Sequence, residues 1–367
     1  MTFNSEWDSE SKYMKGLILS GGHGTRLRPI THTSAKQLVP VANKPILFYG
    51  IEALKEADIT DIGIIVGDTK EEIKKAVGDG SRWEVKIAYI EQPKPLGLAH
   101  AVLTAQNFIK DSPFIMYLGD NVIQGGVKEF VLKFEQEKPT AQILLVPVPN
   151  PQQFGVAELH DNKVVRLVEK PKNPKSNLAL AGVYLFDSMI FKAAQSIDYS
   201  QRGELEITDA IQWLIDQKYE VRSHLIQGWW KDTGKLEDLL EANRMMCDEF
   251  ETKILGSVDE SSKVDFKVVV EKGAQITNSI LRGPLIIGEN TKIINSYVGP
   301  FTAISENCEI RESEIEHSIV LEGSHILNIR YRISDSLIGK QVEILGNQRR
   351  IKNHQFMVGD SSKIELV

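Results

Sequence analysis

At 367 residues the chain is long enough for two domains, each with its own core. Hydrophobic residues make up 42% and charged residues 25%, the balance of a globular protein, and no apolar run approaches the roughly 18 residues that span a bilayer. A net charge of −7 argues against nucleic acid or an anionic membrane as the general partner, so an anion site must gather its positive charge locally.

Residues 1–13, MTFNSEWDSESKY, are polar and acidic. They lack the apolar core and basic start of a signal peptide and are expected as a mobile tail. Cys247 and Cys308 fall in different regions. They allow neither a disulfide framework nor a zinc set, and predict buried thiols in a reducing cytoplasm.

The short apolar run Gly16 to Leu19 predicts a buried strand. It stops at Ser20-Gly21-Gly22-His23-Gly24, where small residues let the main chain turn sharply and approach a ligand. A glycine turn after a strand exposes backbone N–H groups, an anion-binding concavity. Thr25, Arg26, Arg28 and Lys36 follow, and Arg and Lys there supply charge-assisted bonds to phosphate. The usual phosphate loop would place Lys-Ser/Thr after the last glycine, and the dinucleotide fingerprint would need a third glycine. Neither is present.

Beyond Pro45 helix and strand patterns alternate. An amphipathic helix starts at Ile46. Asp61 to Val66 reads as a buried strand, Thr69 to Val77 as a helix, Lys86 to Ile90 as a strand, and Leu98 to Ile109 as one helix entered at Gly97. Phe114 to Leu118 is a strand that ends in Gly119-Asp120-Asn121. Ala141 to Val148, Lys163 to Val168, Gly182 to Phe186 and His224 to Ile226 continue the sheet, with helices at Leu205 to Ile215 and Lys235 to Phe250. Continuous apolar strands between helices predict an α/β fold with a mostly parallel sheet sandwiched by helices. Its ligands sit at the carboxyl ends of strands, where Ser20-Gly21, Glu91-Gln92 and Gly119-Asp120 all fall.

From about Glu260 the texture changes to a 17-residue repeat. Ile276, Ile293, Ile310 and Leu327 form one register; Val270, Ile287, Ile304 and Leu321 form another. Asn278-Ser279 and Asn295-Ser296 match, with Glu312-Ser313 a weaker copy and 335–339 a shifted one. A fixed short period of this kind predicts a β-helix of stacked coils; the alternative, a pair of small β-sandwich sheets, would not need a strict period. The expected divisions are a tail at 1–13, an α/β domain at 14–251 and a β-helix at 252–367.

Asp120, at a strand end, can hold Mg²⁺ beside a nucleotide phosphate or cap the following turn. Asp232, in Trp230-Lys231-Asp232-Thr233-Gly234, has the same two roles open to it. The amide of Gln92 complements a pyrimidine's carbonyl and imide N–H; as an arbitrary glutamine it would be a solvated loop residue. Glu169 can accept from sugar hydroxyls while Lys170 meets a phosphate, or the two form a strand-end charge pair. His23 and His32 belong to no nucleophile–base constellation, so no covalent intermediate is expected.

The stretch GGHGTRLRPIT, followed by Lys36 and Lys44-Pro45, resembles the GGxGTRLxPxT signature of the sugar-phosphate nucleotidylyltransferases. Lys36-Gln37-Leu38 is similar to the branch that makes dTDP-glucose from dTTP and glucose 1-phosphate. The resemblance covers residues 14 to 250 and implies a Rossmann-like nucleotidyltransferase fold. The repeat resembles the hexapeptide repeats of left-handed parallel β-helices, as in a long form of the family. The implied reaction is attack of the sugar phosphate on the α-phosphorus, in line with departing pyrophosphate, for activated-sugar biosynthesis.

The resemblance assigns catalysis to Arg26, Lys36, Asp120 and Asp232, with Mg²⁺ on Asp120 and Asp232. It assigns nucleotide binding to Leu19, Gly21, Gly22, Gly24, Thr25, Gln92 and Gly97, the last by letting the backbone approach the base. Sugar-phosphate binding falls to Gly155, Glu169, Lys170, Val183 and Arg202. Uridylyl transfer and a non-catalytic sugar-nucleotide sensor are the alternatives; Lys36 and the two aspartates speak against the sensor. A homo-oligomer assembled through the β-helix is expected. An acyltransferase base among His317, His325 and His354 competes with solvated coil histidines.

Overall fold

The computed structural model describes residues 13–346 except 23, 25, 26, 29, 33 and 34. Thr25 and Arg26, with His23, Pro29, His354 and residues 1–12, therefore lie outside the described residues. The chain forms two compact units, Met1–Gly22 with Leu47–Trp230, and His23–Ile46 with Lys231–Val367.

The first unit is built on a nine-stranded sheet. Its strands are β1 (Lys15–Ser20), β2 (Asp61–Val66), β3 (Lys86–Glu91), β4 (Phe114–Leu118), β5 (Ala141–Pro147), β6 (Gly155–His160), β7 (Lys163–Glu169), β8 (Leu178–Phe186) and β9 (Val221–Leu225). The order is β7-β6-β8-β4-β1-β2-β3, with β5 joining β8 to β9. Pairing is parallel from β4 through β1 and β2 to β3, and for β9 on β5. It is antiparallel where β8 meets β4, β5 and β6, and where β6 meets β7. The sheet is thus mixed, as expected. Central strands β1, β2 and β4 are buried along nearly their whole length, while the edge strands β3 and β7 carry exposed ends. That is why the central strands read as unbroken apolar runs.

Helices cover the sheet, among them α1 (Ile46–Glu56), α2 (Lys70–Val77), α3 (Leu98–Thr104) and α4 (Gln106–Ile109). The predicted single helix over 98–109 breaks at Ala105. Thr104 Oγ donates back to the His100 carbonyl at 2.9 Å, a side-chain bond that competes with the helix ladder and bends it. α5 (Lys128–Glu137), α6 (Met189–Gln195) and strand β6 are elements that the sequence patterns did not predict. α7 (Ile207–Asp216) buries Ile207, Ala210, Ile211 and Leu214. No helix among the described residues is long and apolar enough to cross a membrane.

The second unit is a parallel β-helix of short strands in three sheets, two of six strands and one of four, beginning at Lys253–Ile254. Ile276, Ile293 and Ile310 stack in register, as do Val270, Ile287 and Ile304. All six are buried, each contributing roughly 1.5–3 kcal/mol of apolar burial. The next coil corrects the expected registers. Ile310 pairs Ile326, not Leu327, and Ile304 pairs Val320, not Leu321. The coil is one residue short at the corner 316–318. The following coil restores the stack, with Leu337 and Ile338 on Ile319 and Val320, the shifted copy that was expected.

The polar repeat has a conformational cause. Asn278, Asn295 and Glu312 sit at corners with φ of 44°, 48° and 47°, where Asn is tolerated better than most side chains. Their side chains form a ladder: Asn278 donates to Asn295 at 2.8 Å and Asn295 to Glu312 at 2.7 Å. Ser279 and Ser296 accept from the main-chain N–H of the next coil.

The coils run from Lys253, while the compact units divide at Trp230/Lys231 and set 23–46 with the coils. Helix α8 (Leu236–Asp248) and the hairpin Pro40–Val41/Lys44–Pro45 explain this, being hydrogen-bonded within the second unit through Asn243 and Asn43.

Candidate active site

Three groups of side chains gather in the first unit. The first lies at the end of β4. Gly119 N–H donates to the Leu19 carbonyl at 2.9 Å, and a Cβ there would stand 2.9 Å from that oxygen. Asp120 follows. Asn121, 2% exposed, donates from Nδ2 to Asp120 Oδ1 at 2.8 Å. Its Oδ1 accepts from Trp230 Nε1 at 2.6 Å, and its carbonyl accepts from the Tyr117 hydroxyl at 3.1 Å. Burial pushes the Tyr117 phenol well above its ordinary value, so it stays a neutral donor. The neighbouring amide, indole and phenol thus fix the loop that carries Asp120.

The second group lies at the end of β3. Gln92 is buried, and its N–H caps β2 through the Val66 carbonyl at 2.9 Å. Gln92 Nε2 lies 2.9 Å from His100 Nδ1 and 3.4 Å from the Gly97 carbonyl. Gln92 Oε1 faces Gly21, 3.3 Å from where a Cβ would stand. Burial holds His100 below its ordinary imidazole value, which favours a neutral ring able to accept. The motifs did not single out His100; its position one helical turn beyond Gly97 was the available signal. Gly97 has φ of 105°, and a Cβ would meet the Leu205 carbonyl at 2.4 Å. The glycine is demanded by the protein's own Leu205 main chain, which exchanges hydrogen bonds with Leu96 and Ala99.

The third group lines a cleft of about 670 Å³ with Glu169, Lys170, Arg202 and Asp209. The Arg202 guanidinium reaches Glu169 at 3.3 Å, Glu204 at 3.0 Å and Glu206 at 3.4 Å. Lys170 Nζ is 3.5 Å from Glu169. Burial raises the Glu206 carboxyl above its usual range. A Cβ on Gly155 would stand 3.1 Å from Glu169 Oε2, so four of the five expected sugar-phosphate residues come together. Val183 is fully buried in β8, in register with Tyr117.

In the second unit, Gly24 (φ 63°) packs on Lys36: a Cβ would stand 2.9 Å from the Lys36 Cβ. Lys36 is 7% exposed and begins the turn Lys36–Leu38. Gln37 is 3% exposed, and its Oε1 has no hydrogen-bond partner among the described residues. Asp232 follows Lys231, whose ammonium pairs with Asp238 at 3.3 Å and Glu241 at 2.9 Å. Asp120 and Gln92 thus belong to the first unit, Lys36 and Asp232 to the second. Gly22 is exposed at the end of the first unit's opening segment.

On the coils, His317 pairs with Asp335, and His325 Nδ1 is 4.0 Å from Glu309. Cys247 and Cys308 are buried free thiols, the latter pushed up to about 11 by burial. Among the described residues no three His, Cys, Asp or Glu side chains gather as a metal cage.

The nucleotidyl transferase family model matches residues 15–249. The chain is 53% identical over 354 residues to a glucose-1-phosphate thymidylyltransferase of Streptomyces griseus, covering 96% of this chain and 99% of that protein. It is 46% identical to the low-salt glycan biosynthesis nucleotidyltransferase Agl11 of Haloferax volcanii, over 96% of this chain and all of that one. A crystal structure from Bacillus anthracis, described as a glucose-1-phosphate thymidylyltransferase in complex with sucrose, superposes with a TM-score of 0.62 at 37% identity. It covers 66% of this chain and 98% of its own. On the family match and the near full-length similarity, the chain belongs to the nucleotidyl transferase family.

Proposed function

We propose that the chain transfers a thymidylyl group from dTTP to α-D-glucose 1-phosphate, giving dTDP-glucose and pyrophosphate. What supports this most is the 53% identity, along nearly the whole chain, to the Streptomyces griseus glucose-1-phosphate thymidylyltransferase. The buried amide of Gln92 at a strand end agrees with it, because an amide pairs with a pyrimidine's imide N–H and carbonyl. The sugar phosphate oxygen forms the new bond to the α-phosphorus as the bond to pyrophosphate breaks. Such chemistry is mainly positioning and charge stabilisation.

Gln92 reads the base, and Gly21, Gly22, Gly24 and Thr25 give main-chain room and N–H groups to the phosphates. Arg26 holds the triphosphate, and Lys36 bridges nucleotide and attacking phosphate. Glu169 accepts from sugar hydroxyls; Lys170 and Arg202 meet the sugar phosphate, Arg202 exchanging one of its three carboxylates for it. Asp120 and Asp232 would hold a divalent cation, Mg²⁺. The carboxylate chemistry suits it, because Mg²⁺ takes one or two carboxylates plus phosphate oxygens. When bound, the ion offsets charge on the phosphates. We also assign the β-helix a role in assembling copies of the chain.

Pyrophosphate release from purified protein with glucose 1-phosphate, Mg²⁺ and each nucleoside triphosphate in turn tests the reading. UTP is the competitor to beat, since the extra methyl of thymine is worth only roughly 1–3 kcal/mol. A protein that prefers UTP is a uridylyltransferase, and one that releases no pyrophosphate is a binding protein.

A further inference from the structure

The segment that carries Lys36 is fastened to the β-helix by two asparagines. Pro40–Val41 and Lys44–Pro45 form a two-residue hairpin whose turn residues Ala42 and Asn43 have φ of 51° and 60°. This is the conformation that a tight hairpin turn requires, and Asn is among the few side chains suited to it. Asn43 Nδ2 donates to the Ile304 carbonyl at 2.7 Å, and Ser305 Oγ lies 3.5 Å from Asn43 Oδ1.

The second fastening is Asn243 of α8, which is 0% exposed. Its Oδ1 accepts from Ala42 N–H at 2.9 Å, and its Nδ2 donates to the Phe301 carbonyl at 2.8 Å. One buried amide therefore joins the hairpin turn to a coil corner with both ends used. A buried amide left without a partner is costly, so both bonds are held together. Phe301 sits at φ 58°, a region that a bulky side chain enters only when its surroundings hold it there. Further along the segment, Ile30 lies against the last coils, its Cδ1 3.6 Å from where a Cβ on Gly339 would stand.

Main-chain bonds carry this anchorage to Lys36. Val39 N–H donates to the Lys36 carbonyl at 3.2 Å, and Ile46 N–H to the Val39 carbonyl at 3.3 Å. Between Lys36 and the fastened turn there are five residues, tied by a 3-10 turn and a hairpin, with Val39 and Val41 buried. The span has no free linker that could absorb a displacement.

We propose that the β-helix positions Lys36 for nucleotidyl transfer, through Asn43 and Asn243 as positioning residues. This rests on the role assigned to Lys36 above and gives the coils a part in turnover within one chain, apart from any part in assembly. A phosphate-bridging ammonium that is misplaced by about 1 Å loses on the order of 100-fold in rate, so the anchorage need move only slightly to be felt.

Three substitutions each remove an anchoring bond. Asn43→Asp keeps a side chain suited to the turn but sets a carboxylate against the Ile304 carbonyl. Asn243→Asp keeps the acceptor for Ala42 and sets a carboxylate against the Phe301 carbonyl. Asn43→Gly keeps the turn and deletes the side-chain bond. Asn290→Asp removes a bond between coils, to Asn307, and none to the hairpin, and serves as the control.

Two readouts are taken on the full chain: hydrogen exchange of residues 36–45 without substrate, and kcat and KM for pyrophosphate release. The three anchor variants are expected to exchange faster across 36–45. Their kcat should fall about 10-fold to 100-fold, with KM for glucose 1-phosphate within about twofold, while Asn290→Asp keeps wild-type kcat. The proposal is overturned by anchor variants that exchange and turn over as wild type, or by Asn290→Asp losing as much as they do. It is also overturned if Asn43→Gly behaves as wild type, since the turn shape alone would then suffice. A wild-type protein without transfer activity would refute the assigned reaction, and faster exchange of 36–45 in the variants would still show the anchorage.

Discussion

Gln92 Nε2 and His100 Nδ1 stand 2.9 Å apart. A neutral imidazole Nδ1 without a proton accepts from the amide N–H, and this fixes which end of the amide faces Gly21. With Gln92 proposed as the reader of the base, selectivity would depend on both side chains. Gln92→Ala is expected to lower kcat/KM for dTTP roughly 10-fold to 100-fold, because a lost base contact leaves the nucleotide's polar edge unpaired. The preference for pyrimidine over purine triphosphates should shrink with it. Competition assays with paired triphosphates read this directly, and an unchanged preference would remove Gln92 from base recognition.

His100 also links stability to pH. Burial lowers its proton affinity in the folded state, so below the ordinary imidazole value of about 6.5 the unfolded chain binds more protons than the folded one. The stabilisation is complete above that value and is lost as pH falls below it. The decline in urea midpoint from pH 7 to 5.5 should therefore be shallower in His100→Gln than in wild type. His224, also lowered by burial, contributes the same slope to both proteins and cancels in the comparison. Parallel pH curves would contradict the assignment.

Asp120→Asn keeps an oxygen for Asn121 Nδ2 and removes the charge. Turnover should fall on the order of 100-fold to 1000-fold, the scale of losing one charge-stabilising group, with the melting temperature little changed. Chelation of divalent cations should abolish wild-type turnover, and added Mg²⁺ should restore it. Wild-type rates in the variant would take Asp120 out of the metal site.

Gly97→Ala tests a backbone requirement. At φ of 105°, with the Leu205 carbonyl 2.4 Å from the new Cβ, strain of about 1–3 kcal/mol is expected from the conformation alone. The clash must also displace Leu205. Chemical denaturation should show the loss, and a stability equal to wild type would mean that the turn relaxes freely.

Much of the fold was legible because its physics is local. Asp61–Val66 and Phe114–Leu118 matched to the residue, since strands buried on both faces show as apolar runs between turn residues. Where partners are distant, the signal fades. The coil registers slipped at Ile326 and Val320 because Leu327 and Leu321, their neighbours, are apolar too, and the shortened corner at 316–318 is polar. β6 opens on a glycine, and α5 buries Phe130, Val131 and Phe134 among charged residues, so neither stood out as a strand or helix. Gln92, Asp120 and Glu169 stand at strand ends, where the sequence patterns put them, and their roles are proposals. Asn243 was not, because its partner Ala42 is 201 residues away and nothing in a helical asparagine announces a bond across that interval.

Thymidylyl transfer itself can be read in a single assay. Purified protein, glucose 1-phosphate and Mg²⁺ are incubated with dTTP, UTP, ATP, GTP or CTP, and pyrophosphate and the sugar nucleotide are quantified together. Equal amounts of pyrophosphate and dTDP-glucose are expected, with the highest kcat/KM for dTTP. A higher value for any other triphosphate, or pyrophosphate without sugar nucleotide, would contradict it.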